Sequence, residues 1–338
     1  MTTKIAFLFP GQGSQSVGMG ADIYASSKAA QRVFEEADDA LGFKLSDICF
    51  HGPEDTLRAT SNAQPAIVTV SLAFLAAFQE ALSPHASAWT SPLTPSFTAG
   101  HSVGECAALV PSQALDLADT VRLVHERGRL MHHEGTVCPG GMAAVIGMAV
   151  EQLQEICQEA TQQALAARPA AANDHPGRGR VVVANYNAPG QIVISGEQHA
   201  LQIASELAKA RGAKRVIPLA VSGAFHSPVM QPATSGLAQS ISQADIHDAT
   251  IPLVSNISAK PLVQEHALRT ELAQQVASPV QWIRSVEYMV AQGVDIFIEI
   301  GPGQALTGMI KRIAKGTTTI NIGTVADVEK AATLIRER

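Results

Sequence analysis

The strongest constraint on the fold is the alternation of short apolar runs with longer amphipathic runs along the chain. The short runs predict strands at 5–9, 96–99, 251–255, 296–300 and 318–322. The longer runs in the first part of the chain predict helices at 20–41, 63–82 and 116–134. Strands that alternate with helices usually form a parallel sheet, so the pattern predicts an α/β fold with a mostly parallel sheet and helices on both faces.

The middle of the chain follows a different order of elements. Its predicted segments run strand, helix, strand, strand, helix, strand, at 142–148, 150–166, 181–186, 191–195, 197–210 and 215–219. This is the order of the ferredoxin-like unit. We therefore predict a smaller α+β domain at 140–221, inserted into a large α/β domain formed by 1–139 and 222–338. Two proline-containing segments, 83–96 and 162–179, are predicted to be loops.

Composition argues against several classes of protein. The 338 residues are 46% hydrophobic and 16% charged, which is typical of a compact globular protein. The net charge is −6 without a lysine or arginine run, so nothing favours binding to nucleic acid or anionic membranes. Polar side chains interrupt the most apolar stretch, 63–82, and we predict no membrane span. The four cysteines never have CxxC spacing, which gives no support for a zinc site and favours free thiols in the cytoplasm.

A short glycine motif points to a nucleophile. Gly100-His101-Ser102-Val103-Gly104 matches GxSxG, between a predicted strand and a predicted helix. A serine on such a sharp turn needs glycine on both sides, because larger side chains would collide with the backbone. The helix N-terminus behind it favours developing negative charge. The motif alone is a weak signal that also fits a glycine-rich surface turn, but its context favours Ser102 as a nucleophile.

A serine nucleophile needs a base, and the chain has eleven histidines. His226 stands out because it follows an apolar run predicted to be a strand and precedes a predicted helix. The carboxyl ends of strands are where α/β folds gather their sites. His101 adjoins Ser102 in a tight turn, where a structural role is the better interpretation. We therefore predict His226 as the base.

Seven motifs, spread over nearly the whole chain, carry a family resemblance. They are Phe9-Pro10-Gly11-Gln12-Gly13-Ser14-Gln15, Gly100-His101-Ser102-Val103-Gly104-Glu105, Arg127-Gly128, Asn185-Tyr186-Asn187-Ala188-Pro189-Gly190-Gln191, Gly223-Ala224-Phe225-His226-Ser227, Ser278-Pro279-Val280-Gln281-Trp282 and Glu299-Ile300-Gly301-Pro302-Gly303. Together they resemble the malonyl-CoA:acyl carrier protein transacylases of fatty-acid synthesis, and the acyltransferase domains of polyketide synthases. Seven motifs in one order are far more specific than any one of them.

The resemblance implies a fold and a reaction. The fold would be a hydrolase-like α/β domain that carries an inserted ferredoxin-like domain. The reaction would move a malonyl group from malonyl-CoA to the phosphopantetheine thiol of acyl carrier protein through a malonyl-serine ester. Metal or redox cofactors are not expected. The expected partners are acyl carrier protein and malonyl-CoA, and the expected state is a cytoplasmic monomer.

The resemblance also implies roles for single residues. Ser102 matches the nucleophile and His226 its base. Gln275 matches the residue whose backbone carbonyl orients the imidazole in place of a carboxylate. The backbone N–H groups of Gln12 and Val103 match the oxyanion hole.

Three further residues match substrate-binding positions. Arg127 would bind the malonyl carboxylate through a bidentate ion pair that lysine could not form. Phe225 is bulky where relatives that accept methylmalonyl carry a smaller residue, and Asn187 would line the entrance for the pantetheine arm. Core packing for Phe225 and a turn role for Asn187 are the alternatives. Glu105 is expected to brace the turn or the start of the helix.

Other functions stay open on the sequence alone. One is the malonyl transferase of a polyketide or malonate decarboxylase system. A serine esterase or thioesterase would share the GxSxG turn, although Arg127 and the missing acidic third member argue against it. An inactive scaffold that binds a carrier protein is disfavoured because Ser102 and His226 are both present. Cys106 and the two predicted loops depart from the family pattern.

Overall fold

The computed structural model describes residues 4–83, 93–167 and 175–337. In chain order the elements are β1 (Lys4–Phe9), α1 (Ala21–Ser26), α2 (Lys28–Leu41), α3 (Leu45–His51), α4 (Glu54–Arg58), α5 (Thr60–Leu82), β2 (Phe97–Gly100), α6 (Val103–Leu109), α7 (Leu117–Val137), β3 (Gly140–Ile146), α8 (Val150–Ala166), β4 (Val181–Ala188), β5 (Gln191–Glu197), α9 (Gln198–Ala210), β6 (Arg215–Pro218), α10 (Ala233–Gln243), β7 (Leu253–Val254), β8 (Pro261–Leu262), α11 (Glu265–Gln274), α12 (Trp282–Ala291), β9 (Val294–Ile300), α13 (Ala305–Ile313), β10 (Thr318–Ile322) and α14 (Val325–Arg336).

The larger sheet has six strands in the order β10-β9-β1-β2-β7-β8. Every pairing in it is parallel except that of β8, which runs antiparallel to β7 at the edge. The central strand β1 is buried along nearly its whole length, as expected for a sheet covered on both faces. The predicted α/β fold is therefore confirmed. The strand predicted at 251–255 is shorter, and the sequence pattern gave no sign of the two-residue strand β8.

The smaller sheet is antiparallel, with the order β4-β5-β3-β6. Its strands come from residues 140–218, and α8 and α9 connect them in the predicted β-α-β-β-α-β sequence. A separate apolar cluster fills the space between this sheet and its two helices. The loop predicted at 162–179 begins too early, because α8 continues to Ala166. Residues 168–174, and 84–92 of the other predicted loop, lie outside the described residues.

The structure corrects one predicted helix and accounts for the apolar character of another. The single helix predicted at 20–41 is wrong, because the chain is extended at Ser27 and the Ser27 side chain caps the start of α2. Helix α5 is long and apolar enough to cross a membrane by length and composition, but 83% of its most apolar window is buried inside the protein. It is therefore a buried core helix, packed against α2 and α7.

Candidate active site

Ser102 sits on a strained turn between β2 and α6. Its φ is 54°, a left-handed value that non-glycine residues rarely adopt. A Cβ at Gly100 would lie 1.9 Å from the carbonyl carbon of Gly104, and one at Gly104 would lie 2.1 Å from the carbonyl oxygen of Phe9. Both glycines are therefore required sterically, as the GxSxG pattern predicts.

His226 faces this serine from a distant part of the chain. Its Nε2 lies 2.7 Å from the Oγ of Ser102. Its Nδ1 lies 3.0 Å from the carbonyl oxygen of Gln275 and 3.1 Å from that of Ser278. A carbonyl can only accept, so Nδ1 carries the proton and Nε2 presents its lone pair to the serine hydroxyl. The second carbonyl, from Ser278, was not anticipated from the sequence.

The route by which His226 reaches the site differs from the one predicted. The strand before it, β6, is a largely exposed edge strand of the smaller antiparallel sheet. His226 therefore does not follow a strand end of the parallel sheet. It lies in an irregular segment, with φ of 58°, and its backbone N–H donates a hydrogen bond to the carbonyl of Val276.

Burial, together with the nearby Arg127 and His101, lowers the pKa of His226 to about 3, against the raising effect of the two carbonyls. The imidazole is therefore neutral at pH 7 and free to accept a proton from Ser102. Burial also lowers the pKa of His101, whose Nε2 lies 2.8 Å from the Oδ1 of Asn187. This contact agrees with a structural role for His101.

The loop after β1 lies against the serine turn. A Cβ at Gly11 would come within 2.6 Å of the carbonyl oxygen of His101, so only glycine permits this approach. The approach places Gln12 on the wall of a cavity next to Ser102. Among the described residues, neither the backbone N–H of Gln12 nor that of Val103 has a hydrogen-bond acceptor. Both groups are available to an oxygen atom of a ligand.

Arg127 reaches the serine from α7 and is only 2% exposed. Its guanidinium donates to the side-chain oxygens of Gln64 and Gln275, at 2.6 and 2.7 Å, and to the Oγ of Ser102 at 3.2 Å. These three acceptors are neutral, and within the described part of the chain no carboxylate forms an ion pair with Arg127. A buried cation without a directly paired carboxylate is costly, which favours an anionic ligand here.

The cavity in front of Ser102 has a volume of about 230 Å³ and lies between the two sheets. Phe225 and Asn187 both line it. The Oδ1 of Asn187 is already bonded to His101, however. The neighbouring Asn185 also lines the cavity, and its buried Oδ1 has no hydrogen-bond partner among the described residues.

A polar network lies behind the serine, and the sequence analysis anticipated only the bracing role of Glu105 in it. Asn256 accepts from the N–H of Ser102 at 2.8 Å and donates to the carbonyl of Gly100 at 2.7 Å. Glu105, completely buried, accepts from Asn256 and Gln275. Burial and the nearby Glu271 raise the pKa of Glu105. The position of Asn256 after β7, at the edge where parallel strands end, was the one available signal.

A search of the described residues finds no group of three or more His, Cys, Asp or Glu side chains that could hold a metal ion. The site itself brings together a serine, a neutral histidine, two backbone N–H groups and a buried arginine.

Comparison with known proteins decides the family. Residues 6–336 match the acyl transferase domain family. The chain belongs to this acyltransferase family. It is 42% identical over 335 residues to the malonyl CoA-acyl carrier protein transacylase of Bacillus subtilis, covering 99% of this chain and 98% of that one. It is 40% identical over 317 residues to the same enzyme of Escherichia coli K12, covering 94% of each chain.

Solved acyltransferase structures share the whole fold. The acyl-carrier-protein S-malonyltransferase of Bartonella henselae has a TM-score of 0.88 at 38% identity, covering 99% of this chain and 100% of that one. A malonyl-transacylase in complex with a type II polyketide acyl carrier protein has a TM-score of 0.87 at 35% identity, covering 98% and 100%. The family resemblance inferred from the seven motifs is thereby confirmed.

Proposed function

We propose that this acyltransferase moves a malonyl group from malonyl-CoA to the phosphopantetheine thiol of acyl carrier protein. The observation that carries the proposal is the position of Arg127, a buried cation without an ion-pair partner among the described residues, 3.2 Å from the Oγ of Ser102. A guanidinium has five N–H donors, and its three hydrogen bonds leave others for a carboxylate. Malonyl differs from acetyl by this carboxylate.

The first half-reaction acylates Ser102. His226 Nε2 takes the hydroxyl proton while Oγ attacks the thioester carbonyl. The N–H groups of Gln12 and Val103 stabilise the resulting oxyanion. The C–S bond then breaks, and the protonated His226 gives its proton to the CoA sulfur.

The second half-reaction repeats these steps with the other thiol. His226 accepts the proton of the phosphopantetheine thiol, and the sulfur attacks the malonyl ester. The C–O bond to Ser102 breaks, and Oγ recovers its proton from His226. This is ping-pong transfer, and every proton that leaves a nucleophile returns to a leaving group. The proposed chemistry requires neither a metal nor a redox cofactor.

Two cavity residues bear on the choice and entry of substrate. Phe225 is 4% exposed and lines the same cavity as the dyad, so we propose that its ring restricts the space beside C2 of the malonyl group. Asn187, and with it Asn185, would line the path of the pantetheine arm. We further propose that the protein acts as a cytoplasmic monomer, which size-exclusion chromatography with light scattering would test.

The relatives' names include an acyl carrier protein, and the family resemblance of the seven motifs favours the carrier of fatty-acid synthesis. A polyketide carrier is the second candidate, because one structural neighbour was solved with such a partner. The test is incubation with radiolabelled malonyl-CoA, alone and with each type of carrier. We expect label on the fatty-acid carrier and little free malonate. Rapid release of free malonate in the presence of carrier would instead indicate a thioesterase.

A further inference from the structure

Glu105 occupies a position that the proposed mechanism does not use. It lies in the first turn of α6, three residues after Ser102, and is completely buried. Its Oε1 accepts from the backbone N–H and the Nδ2 of Asn256, at 2.7 and 3.1 Å. Its Oε2 accepts from the Nε2 of Gln275. Glu105 thus joins two amide side chains that each contact the catalytic serine.

The orientation of both amides is fixed by backbone groups. Asn256 faces the N–H of Ser102 with its oxygen and the carbonyl of Gly100 with its nitrogen. Gln275 faces the carbonyl of Ser102 with its nitrogen, at 3.0 Å, and the guanidinium of Arg127 with its oxygen. Neither amide can flip without opposing like groups. Glu105 therefore lies among three N–H donors from two residues, and both its oxygens must accept.

Only a carboxyl group meets this requirement. A proton held between Glu105 and the adjacent Glu271 still leaves both Glu105 oxygens with lone pairs for these donors. Glutamine at this position has the same shape but replaces one oxygen with NH2, which would face a donor in either orientation. The repulsion between the two facing N–H groups would move the side chain of Asn256 or of Gln275. The Gln275 side chain accepts a hydrogen bond from the guanidinium of Arg127, which contacts Ser102.

We propose that Glu105 is a positioning residue for acyl selectivity, which fixes the Gln275 amide and through it the guanidinium of Arg127. This inference rests on the proposed malonyl transfer. Glu105 would then do more than support the turn. The hydrogen bonds from Glu105 through Gln275 lead to Arg127, the residue that would bind the substrate carboxylate. The path through Asn256 ends at the serine turn, which both malonyl and acetyl substrates use.

The two paths predict different kinetic effects. Loss of the Asn256 path would slow transfer of malonyl and acetyl groups alike. Loss of the Gln275 path would also disturb Arg127, which adds a penalty that falls more heavily on malonyl than on acetyl. The ratio of kcat/KM for malonyl-CoA to that for acetyl-CoA therefore isolates the effect on Arg127. Glu299→Gln is the matched control, because Glu299 is equally buried and accepts from two backbone N–H groups of α13.

The experiment measures this ratio for wild type, Glu105→Gln, Glu299→Gln, Arg127→Ala and the double variant Glu105→Gln/Arg127→Ala. We expect Glu105→Gln to lower the ratio roughly tenfold, within the range of coupling in a shared hydrogen-bond network. The control should keep the wild-type ratio. In the Arg127→Ala background, Glu105→Gln should change the ratio no further.

A folded Glu105→Gln with the wild-type ratio would overturn the inference, and so would a further fall in the double variant. If Glu105→Gln does not fold, Gln275→Met gives the answer, since it cuts the same path and keeps the backbone carbonyl. A lowered ratio in Gln275→Met supports the inference, and a wild-type ratio overturns it. A wild-type protein without malonyl preference would overturn the proposed function itself, and the inference with it.

Discussion

At the scale of the residue, charge balance decides what the site can bind. Arg127 is buried beside the nucleophile and hydrogen-bonded to neutral oxygens, while Glu105 approaches it through Gln275. The positive charge also helps to keep His226 neutral by lowering its pKa. Arg127 is thus expected to affect both substrate choice and the base.

Replacing Arg127 should separate malonyl from acetyl transfer. In Arg127→Ala the malonyl carboxylate would lack its partner in a partly dry pocket, and such truncations commonly cost about 2–5 kcal/mol. Acetyl-CoA has no carboxylate, so its kcat/KM should stay equal or rise. Arg127→Lys should recover little of the lost malonyl transfer, because an ammonium cannot make the planar bidentate contact. Equal losses on both thioesters in steady-state assays would mean that Arg127 supports the fold instead of reading the substrate.

The pH dependence should reveal the environment of His226. The base must be neutral to accept the serine proton, and its lowered pKa of about 3 keeps it neutral in mild acid. We expect kcat/KM for acetyl-CoA to stay nearly flat from about pH 7 to about pH 5, where a base with the ordinary value of about 6.5 would lose most of its activity. In Arg127→Ala one lowering influence is gone, so the acidic limb should move upward. A wild-type limb near pH 6.5 would contradict this account of the base.

At the scale of the element, the turn between β2 and α6 depends on close backbone contact with β1. The N–H of His101 donates to the carbonyl of Phe9 at 3.0 Å, and Gly104 packs against the same residue. This contact brings the Gln12 loop and the Ser102 turn to one edge of the sheet. The oxyanion-binding N–H groups can therefore come from two elements far apart in sequence.

Adding one methyl group at this contact should damage the site. A Cβ at Gly104 would lie 2.1 Å from the carbonyl oxygen of Phe9 and 2.7 Å from that of Pro10, so the backbone must move. We expect Gly104→Ala to lower the free energy of unfolding by about 1–3 kcal/mol or more and to abolish acylation. Gly308→Ala is the matched control, since it adds the same methyl in α13 with no atom within 4 Å.

The control should raise the free energy of unfolding by up to about 1 kcal/mol, because alanine favours a helix over glycine. Urea unfolding followed by circular dichroism measures both changes. Wild-type stability and activity in Gly104→Ala would show that the turn is less constrained than its contacts indicate.

Sequence reasoning succeeded at elements whose signal is local. The Ser102 turn carries its own steric signature, and the β-α-β-β-α-β segment its own order. The partners of these residues were harder to find, because their roles arise from tertiary contact alone. Asn256 is 154 residues from Ser102, and Gln64 is 63 residues from Arg127. Nothing in the sequence around Gln64 indicates that its side chain contacts Arg127, and the motif around Glu105 indicated only support of the turn.

At the scale of the whole molecule, the cavity lies where the two sheets meet. The larger sheet contributes the ends of β1 and β2, and the smaller one contributes Asn187 and Met142. The segment with His226 connects the smaller sheet to α10. A donor thioester and an acceptor thiol on carriers of very different size can use one serine in turn, because the cavity that encloses the reacting atoms lies between the sheets. This arrangement suits the transfer of a malonyl group from CoA to acyl carrier protein.

The most direct test of the central claim is the covalent state of Ser102. Intact-mass spectrometry after brief mixing with malonyl-CoA should show one added malonyl group on the wild-type protein and none on Ser102→Ala. Addition of a phosphopantetheine-bearing acyl carrier protein should then remove that mass from the enzyme and transfer it to the carrier. An adduct that persists in Ser102→Ala, or one that the carrier cannot remove, would contradict transfer through a malonyl-serine ester.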